Sequence, residues 1–424
     1  MRSWMRVSVF ILVIFADFAV ASAVGSPLTL GESVARVLEN NPHLQAADFD
    51  AQAAADRIRQ QGQARPYELG VELENLAGTG EASGVSELET TLSLGRVLEL
   101  GNKARWRGAV AELEAGVLRH EQDAKRLDLL AETAQRFLTL ARVQVERKLA
   151  QERVDLMRRT LQSVERRHRV GKAPAAERSK ARIDLARAEL ALEETDHLLI
   201  NGRRELSVMW GEFQSDFETV QADIFHLDAE PDFTSLDLRI EHNPAIARLA
   251  TQQRLSKARL SLAKTRGRSD LDVRAGVRHL NDTDDVGVVL SLSMPLGSVG
   301  RASPYVHEAE ALIGREQLLA QDQHLVLRAT LSALHQELLH ARDRFEIYKD
   351  SIIPEAEKAL LDYNKGYAAG RYSLLELTVA QETLLEARLE SLSSAAEHHS
   401  ARIEIDRLIG TAPLNGVTPT GVSQ

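Results

Sequence analysis

Two periodicities share this chain: apolar and small residues recur at helical spacing over most of its length, and four short segments switch to strict alternation. Tyr67, Leu69, Val71 and Leu73 alternate with Glu68, Gly70, Glu72 and Glu74, and Leu88, Thr90, Leu92 and Leu94 with Glu87, Glu89, Thr91 and Ser93. Further on, Leu271, Val273, Ala275 and Val277 alternate with Asp272, Arg274, Gly276 and Arg278. Val286, Val288, Leu290, Leu292 and Met294 then alternate with Gly287, Val289, Ser291 and Ser293. A period of two predicts strands with one apolar and one polar face, here over about 67–75, 86–95, 270–280 and 286–295. Segments of about eight to ten residues have the length of a tilted transmembrane β-strand. Polar loops at 77–85 and 281–285 make each pair a hairpin.

The helical pattern is longer than an ordinary globular domain needs. From Lys103 to Arg169 only Gly108 and Gly116 interrupt it, and about 65 residues at 1.5 Å each extend roughly 100 Å. Beyond Gly171, Leu185, Leu192, Leu199 and Leu206 recur every seven residues beside the small residues Ala181, Ala188, Thr195 and Gly202. An offset of 199 turns that stripe into Ala380, Ala387, Ser394 and Ala401, again all small. The same offset relates Gly171 to Gly370, Gly101 to Gly300 and Gly211 to Gly410. Asn40-Asn41-Pro42 returns as His242-Asn243-Pro244, each before a helix that ends near Arg65 or Arg268. One unit is therefore written twice, over 24–212 and 238–412, with a connector at 213–237 and a flexible tail at 413–424. Each unit reads helix, β-hairpin, very long helix, glycine turn, long helix. The small heptad stripe predicts helices packed closely side by side, which a plain soluble coiled coil would also satisfy.

Ahead of the first unit, Arg2 and Arg6 precede an apolar run from Val7 to Ala16, and Ala21-Ser22-Ala23 closes the stretch. This is the layout of a secretory signal peptide over 1–23; a retained anchor is the competing reading. No later stretch reaches the roughly 20 apolar residues of a spanning helix, so a mature chain in a membrane would cross it with strands. Four strands do not close a barrel wide enough for solute, and open edges are not tolerated in lipid. Several copies would each lend four strands to one barrel, apolar face to lipid and polar face to water. A small soluble sheet packed on a helix is the alternative.

Composition removes whole classes of chemistry. Of the 100 residues from Gly101 to Ile200, 63 are Ala, Glu, Lys, Leu or Arg, a bias towards long helices. Without a cysteine there is no thiolate nucleophile, Cys-ligated metal or lipidated N-terminal cysteine. A net charge of −10 argues against a nucleic-acid partner. Of 13 histidines no two lie three or four apart, so no helix offers a paired chelate; His335 and His340, and the adjacent His398 and His399, read as solvated helix-face residues. Gly78-Thr79-Gly80 reads as a strand-connecting loop rather than a phosphate loop. The Arg166-Arg167-His168-Arg169 run reads as a solvated helix end, with an acidic partner as its alternative. Glu68, Glu72, Glu74, Glu87 and Glu89 on the polar strand faces would attract cations.

A duplicated chain of this order, with a signal peptide, resembles the TolC-type outer-membrane efflux channels. The resemblance runs from about Leu28 to Pro413. It rests on the two Asn-Pro openings, on Leu98-Glu99-Leu100-Gly101-Asn102-Lys103, and on the second turn, Gly366-Tyr367-Ala368-Ala369-Gly370-Arg371-Tyr372-Ser373-Leu374-Leu375-Glu376-Leu377. The first stretch is similar to the CzcC-like heavy-metal branch, which reads close to E-L-G-G-K; Asn102 departs from that pattern. The resemblance implies a mainly α chain with a small membrane β part, forming a homotrimer. Its twelve-stranded barrel would sit in outer-membrane lipid and continue as an α-helical periplasmic tunnel. Such a duct is passive, neither an enzyme nor a cofactor protein, and meets an inner-membrane pump through a periplasmic adaptor. The turns at Gly171 and Gly370 would contact the adaptor. In the family an acid six residues after the second-turn glycine constricts the periplasmic entrance, which is Glu376 here, with Glu177 its repeat equivalent; the family's second acid falls on Val379. Divalent metal cations are the implied cargo. Small organic toxins are the alternative cargo, and a non-channel periplasmic coiled-coil scaffold is the alternative of another class.

Overall fold

In the computed structural model residues 27–77, 79–80 and 84–412 are described; the expected signal peptide, the tail and part of the first hairpin loop lie outside them. The first unit comprises α1 (Leu30–Asn40), α2 (Pro42–Gly62), β1 (Tyr67–Glu74), β2 (Glu89–Leu98), α3 (Lys103–Arg169) and α4 (Ala175–Val208). The second comprises α5 (Phe233–Arg239), α6 (Pro244–Thr265), β3 (Leu271–Leu280), β4 (Asp285–Ser293), α7 (Ser298–Ile347), α8 (Ile353–Ala368) and α9 (Leu374–Leu408).

The Asn-Pro pairs work as clips. Proline lacks an N–H and favours the first helical position, and the asparagine before it caps α2 and α6: Asn41 Oδ1 accepts from His43 N at 2.9 Å and Asn243 Oδ1 from Ala245 N at 2.7 Å. The side-chain nitrogens reach the far end of their own repeat. Asn41 Nδ2 donates to the Met209 carbonyl at 2.7 Å and Asn243 Nδ2 to that of Leu408 at 2.8 Å. Both asparagines are buried, so each amide satisfies groups that would otherwise be orphaned.

Helix α3 runs unbroken for 67 residues, with the limits its pattern predicts. Its counterpart does not. A single π turn, Tyr348–Ile352, separates α7 from α8, and the Ile353 N–H reaches back to the Tyr348 carbonyl. Pro354 supplies the cause, because a ring nitrogen without hydrogen removes a helical bond and the ladder relaxes around it. The pairing of Gly101 with Gly300 also fails in three dimensions. Gly300 lies inside α7, and the left-handed glycine before that helix is Gly297, φ 77°.

Side by side the helices bury the small stripe as its spacing predicts: Ala181, Ala188, Ala380, Ala387, Ser394 and Ala401 are all buried, and a Cβ on Gly202 would come within 3.2 Å of Leu140. The expected connector proves to be part of the core. Val220 bridges in parallel to Leu28, Phe217, Val220 and Ile224 join the cluster around Phe137, Leu140 and Leu206, and α5 begins inside its expected span, at Phe233.

The two hairpins join into one antiparallel sheet, ordered β1-β2-β3-β4, with Leu92 opposite Val277 across the repeat boundary. Among the described residues β1 and β4 each pair on one side only. Strand β2 starts at Glu89 and runs to Leu98 because its ladder with β3 continues to Leu271. Glu87 accordingly sits in the turn before β2, not on a strand face.

Candidate functional site

Two regions could act on a solute: the polar face of the sheet and the helical tip where the glycine turns meet. On one side of the sheet stand Leu69, Val71, Leu92, Leu94, Val277, Val288, Leu290 and Leu292, all exposed, Val288 at 86%. No packed core carries such a face. The other side is polar and crowded with small residues. A Cβ on Gly276 would meet the Leu92 carbonyl at 2.7 Å, and one on Gly95 would meet Arg274 Cγ at 2.6 Å. Glycine at these places lets neighbouring strands and side chains approach closely on the polar face.

The acids of that face are not free. Arg274 pairs with Glu68 at 3.2 Å and Asp272 at 3.1 Å. Arg278 pairs with Glu74 at 2.7 Å and Glu89 at 2.5 Å, and its Nε donates to Thr91 Oγ1 at 2.9 Å. The acids Glu68, Glu74 and Glu89 thus share the polar face with Arg274 and Arg278, which leaves it mixed in charge. Of the five acids expected there, Glu72 stays on the polar face without an ion pair among the described residues. Alternation marked each strand's faces, but the neutralising contacts depend on the β2–β3 register, which places Arg278 opposite Thr91.

At the other end the two turns share a helix C-cap. Gly171 (φ 73°) and Gly370 (φ 78°) adopt the left-handed conformation. Lys172 N donates to the Arg167 carbonyl and Arg371 N to that of Gly366, both at 2.8 Å, the long return bond of a glycine-ended helix. The turns then touch each other. Arg167 lies over the Tyr367 ring, 4.5 Å from its centroid, and donates to the Tyr367 carbonyl, so this member of the arginine run is a joint rather than a solvated end. Tyr367 is buried with Val164, Ala181, Leu374 and Leu377, and its hydroxyl donates to Glu177 Oε2 at 3.2 Å. Burial, with the Glu177 carboxylate beside it, pushes the Tyr367 phenol up to about 12.

Glu376 makes a different set of bonds. It is exposed, and its Oε2 accepts from Ser373 N and Ser373 Oγ, both at 2.8 Å, while the Ser373 hydroxyl accepts from Glu376 N at 3.3 Å. This capping box opens α9. The Ser373 N–H, then its hydroxyl, hold the Glu376 carboxyl below its usual value. Sequence reasoning passed over Tyr367, Arg274 and Arg278. Tyr367 lies within the second-turn motif, but only the fold shows that it faces the other repeat.

Three histidines depart from the expected solvated face. His398 and His399 are both buried, since the 213–237 segment folds over α9 and His399 Nε2 meets the Ile224 carbonyl at 2.9 Å. Desolvation pushes the His398 imidazole down to about 4. His335 is buried against Phe233, with Nε2 at 3.1 Å from the Pro231 carbonyl; His340 is exposed as expected. Among the described residues no three His, Asp or Glu side chains converge on a metal position.

Residues 34–212 match the family described as outer membrane efflux protein. That match spans nearly all of the first repeat. The chain is also 26% identical over 388 residues to the cobalt-zinc-cadmium resistance protein CzcC of Cupriavidus metallidurans, covering 91% of this chain and 90% of the relative. The likeness in fold extends over both repeats. The outer membrane protein VceC of Vibrio cholerae superposes with a TM-score of 0.75 at 18% identity, over 90% of this chain and 96% of its own. The Campylobacter jejuni CmeC outer membrane channel gives 0.75 at 14%, over 90% and 85%. Over about nine-tenths of its length the chain is therefore similar in fold to outer-membrane channel proteins, and its first repeat matches the outer membrane efflux protein family. No helix among the described residues is long and apolar enough to cross a membrane, and the exposed apolar sheet face is the part that suits lipid.

Proposed function

We propose that three copies of this chain build one passive exit duct, a twelve-stranded barrel in the outer membrane continued by a helical tunnel through the periplasm. An inner-membrane pump, coupled through a periplasmic adaptor at the Gly171 and Gly370 turns, would supply the driving force. One observation carries the reading: a sheet whose apolar face is exposed, whose other face is polar, and whose two edge strands lack partners among the described residues. Lipid tolerates none of those edges, and three four-stranded sheets joined edge to edge remove them all. Divalent cations are the cargo this reading favours, supported by the likeness to a cobalt-zinc-cadmium resistance protein rather than by any chelating group. At the periplasmic entrance three copies of Glu376, with Glu177 behind them, would narrow the passage.

The test is conductance of the purified protein in planar bilayers. A duct gives stepwise currents and a periplasmic scaffold gives none. In the same recordings Glu376→Gln lowers cation selectivity and Glu376→Lys shifts it further towards anions; unchanged selectivity in both would move the constriction elsewhere, Glu177 being tested next. For cargo, a deletion strain becomes sensitive to cobalt, zinc or cadmium. Sensitivity to dyes or detergents with metal tolerance intact would reassign the duct to organic toxins.

A further inference from the structure

Where helices meet sheet, the charge of this acidic chain reverses. One surface pocket there is lined by Lys103, Arg266, Arg268 and Arg301, with Asp270 and Tyr305. Its carboxylate is already engaged, because Lys103 Nζ holds Asp270 Oδ1 at 2.6 Å. Arg266, Arg268 and Arg301 make no ion pair among the described residues: Arg266 lies 3.9 Å from the centroid of the Tyr305 ring, and Arg301 donates to the Leu296 carbonyl at 2.8 Å. Four cationic side chains therefore share one pocket with a single carboxylate, which is paired with Lys103, in a protein of net charge −10.

The surroundings name the kind of anion. Leu296 is 84% exposed and Val299 76%, and in the chain both lie between the end of β4 and Arg301. At the same end of the sheet Tyr67 stands opposite Arg96, whose guanidinium lies 4.9 Å from its ring centroid. Tyrosine with arginine, apolar on one side and charged on the other, is the composition of a membrane interface. We propose that this junction is a headgroup collar whose Arg266, Arg268 and Arg301 hold the phosphate of an anionic phospholipid from the periplasm-facing leaflet, fixing the depth of the sheet in the bilayer. Guanidiniums suit phosphate because they offer paired donors in one plane. Apolar neighbours without partners select a lipid over a free phosphate ion. The proposal rests on the reading of the sheet as membrane-spanning.

The experiment reconstitutes the full chain in bilayers of phosphatidylcholine with a minor fraction of phosphatidylglycerol and identifies the lipids that stay bound by native mass spectrometry. Phosphatidylglycerol should be enriched over its bulk share on the order of tenfold, and the Arg266→Gln, Arg268→Gln, Arg301→Gln triple variant should fall to the bulk ratio while entering the bilayer as well as the parent. Retention at the bulk ratio by the parent, or undiminished enrichment in the variant, overturns the collar. Inorganic phosphate that binds the detergent-solubilised parent and abolishes the enrichment would make this a free-phosphate site and overturn the lipid. A parent that stays out of the bilayer overturns the spanning sheet instead, and that is seen before any lipid is counted.

Discussion

The turns around Gly171 and Gly370 occupy equivalent places in the two repeats and share the same glycine-ended cap, yet their side chains do opposite things. The first turn gives Arg167 and Glu177 to the second repeat, clasping Tyr367 from both sides. The second keeps its acid to itself, since Glu376 closes a capping box with Ser373, and Pro174, at the matching cap of α4, offers no side-chain bond. Position in a repeat therefore fixes backbone shape but not electrostatic role. The second turn is built to hold its own form, the first to hold its neighbour.

The largest effect should come from the clasp. Tyr367→Ala removes a buried ring and should cost about 3 kcal/mol, whereas the repeat-equivalent His168, half-buried and bonded to the Ala173 carbonyl at 2.8 Å, should cost about 1 kcal/mol as His168→Ala. Thermal unfolding of the detergent-solubilised protein measures both, and equal losses would break the asymmetry. Next come the glycines. Gly171→Ala and Gly370→Ala each force a side chain into a left-handed conformation and should cost about 1–2 kcal/mol, the same in both turns. A larger loss at Gly370 would mean that Arg167, whose guanidinium lies 3.9 Å from where the new Cβ would stand, has become an obstacle. The smallest is the cap. Ser373→Ala should cost about 1 kcal/mol, and Pro174→Ala less, having no cap bond to lose. The cap also has a pH signature. The folded chain holds the Glu376 carboxyl below its ordinary 4.5, so the unfolded chain takes up that proton first. The stabilisation is whole above pH 4.5 and is lost as pH falls through the lowered value. Glu376→Gln should flatten the acid limb of the stability profile, and an unchanged limb would show that the bond is not kept in solution.

Much of this architecture is legible in the sequence. Long helices with glycine at their ends declare themselves, which is why Lys103–Arg169 has the limits its pattern predicts. The stripe of Ala181, Ala188, Ala380 and Ala387 needs only its spacing, because close packing admits nothing larger. Contacts set by register or by a returning segment are not legible. Arg274 reaches Glu68 and Arg278 reaches Glu89 only after β2 and β3 align, and His399 is buried by Ile224, separated from it by 175 positions in the chain. The π turn before α8 is written in Pro354, but one proline does not say how a helix will accommodate it.

The asparagine clips have a consequence for the age of the molecule. An asparagine degrades when the nitrogen of the next residue attacks its side-chain amide and closes a succinimide ring. That attack requires a backbone N–H to give up its proton, and proline has none. Asn41 and Asn243 each precede a proline, so the two amides that tie the ends of the repeats, to Met209 and Leu408, are shielded from the commonest spontaneous damage to asparagine. A protein placed beyond the cytoplasm, away from the machinery that repairs and replaces side chains, keeps its fastenings in a chemically durable form.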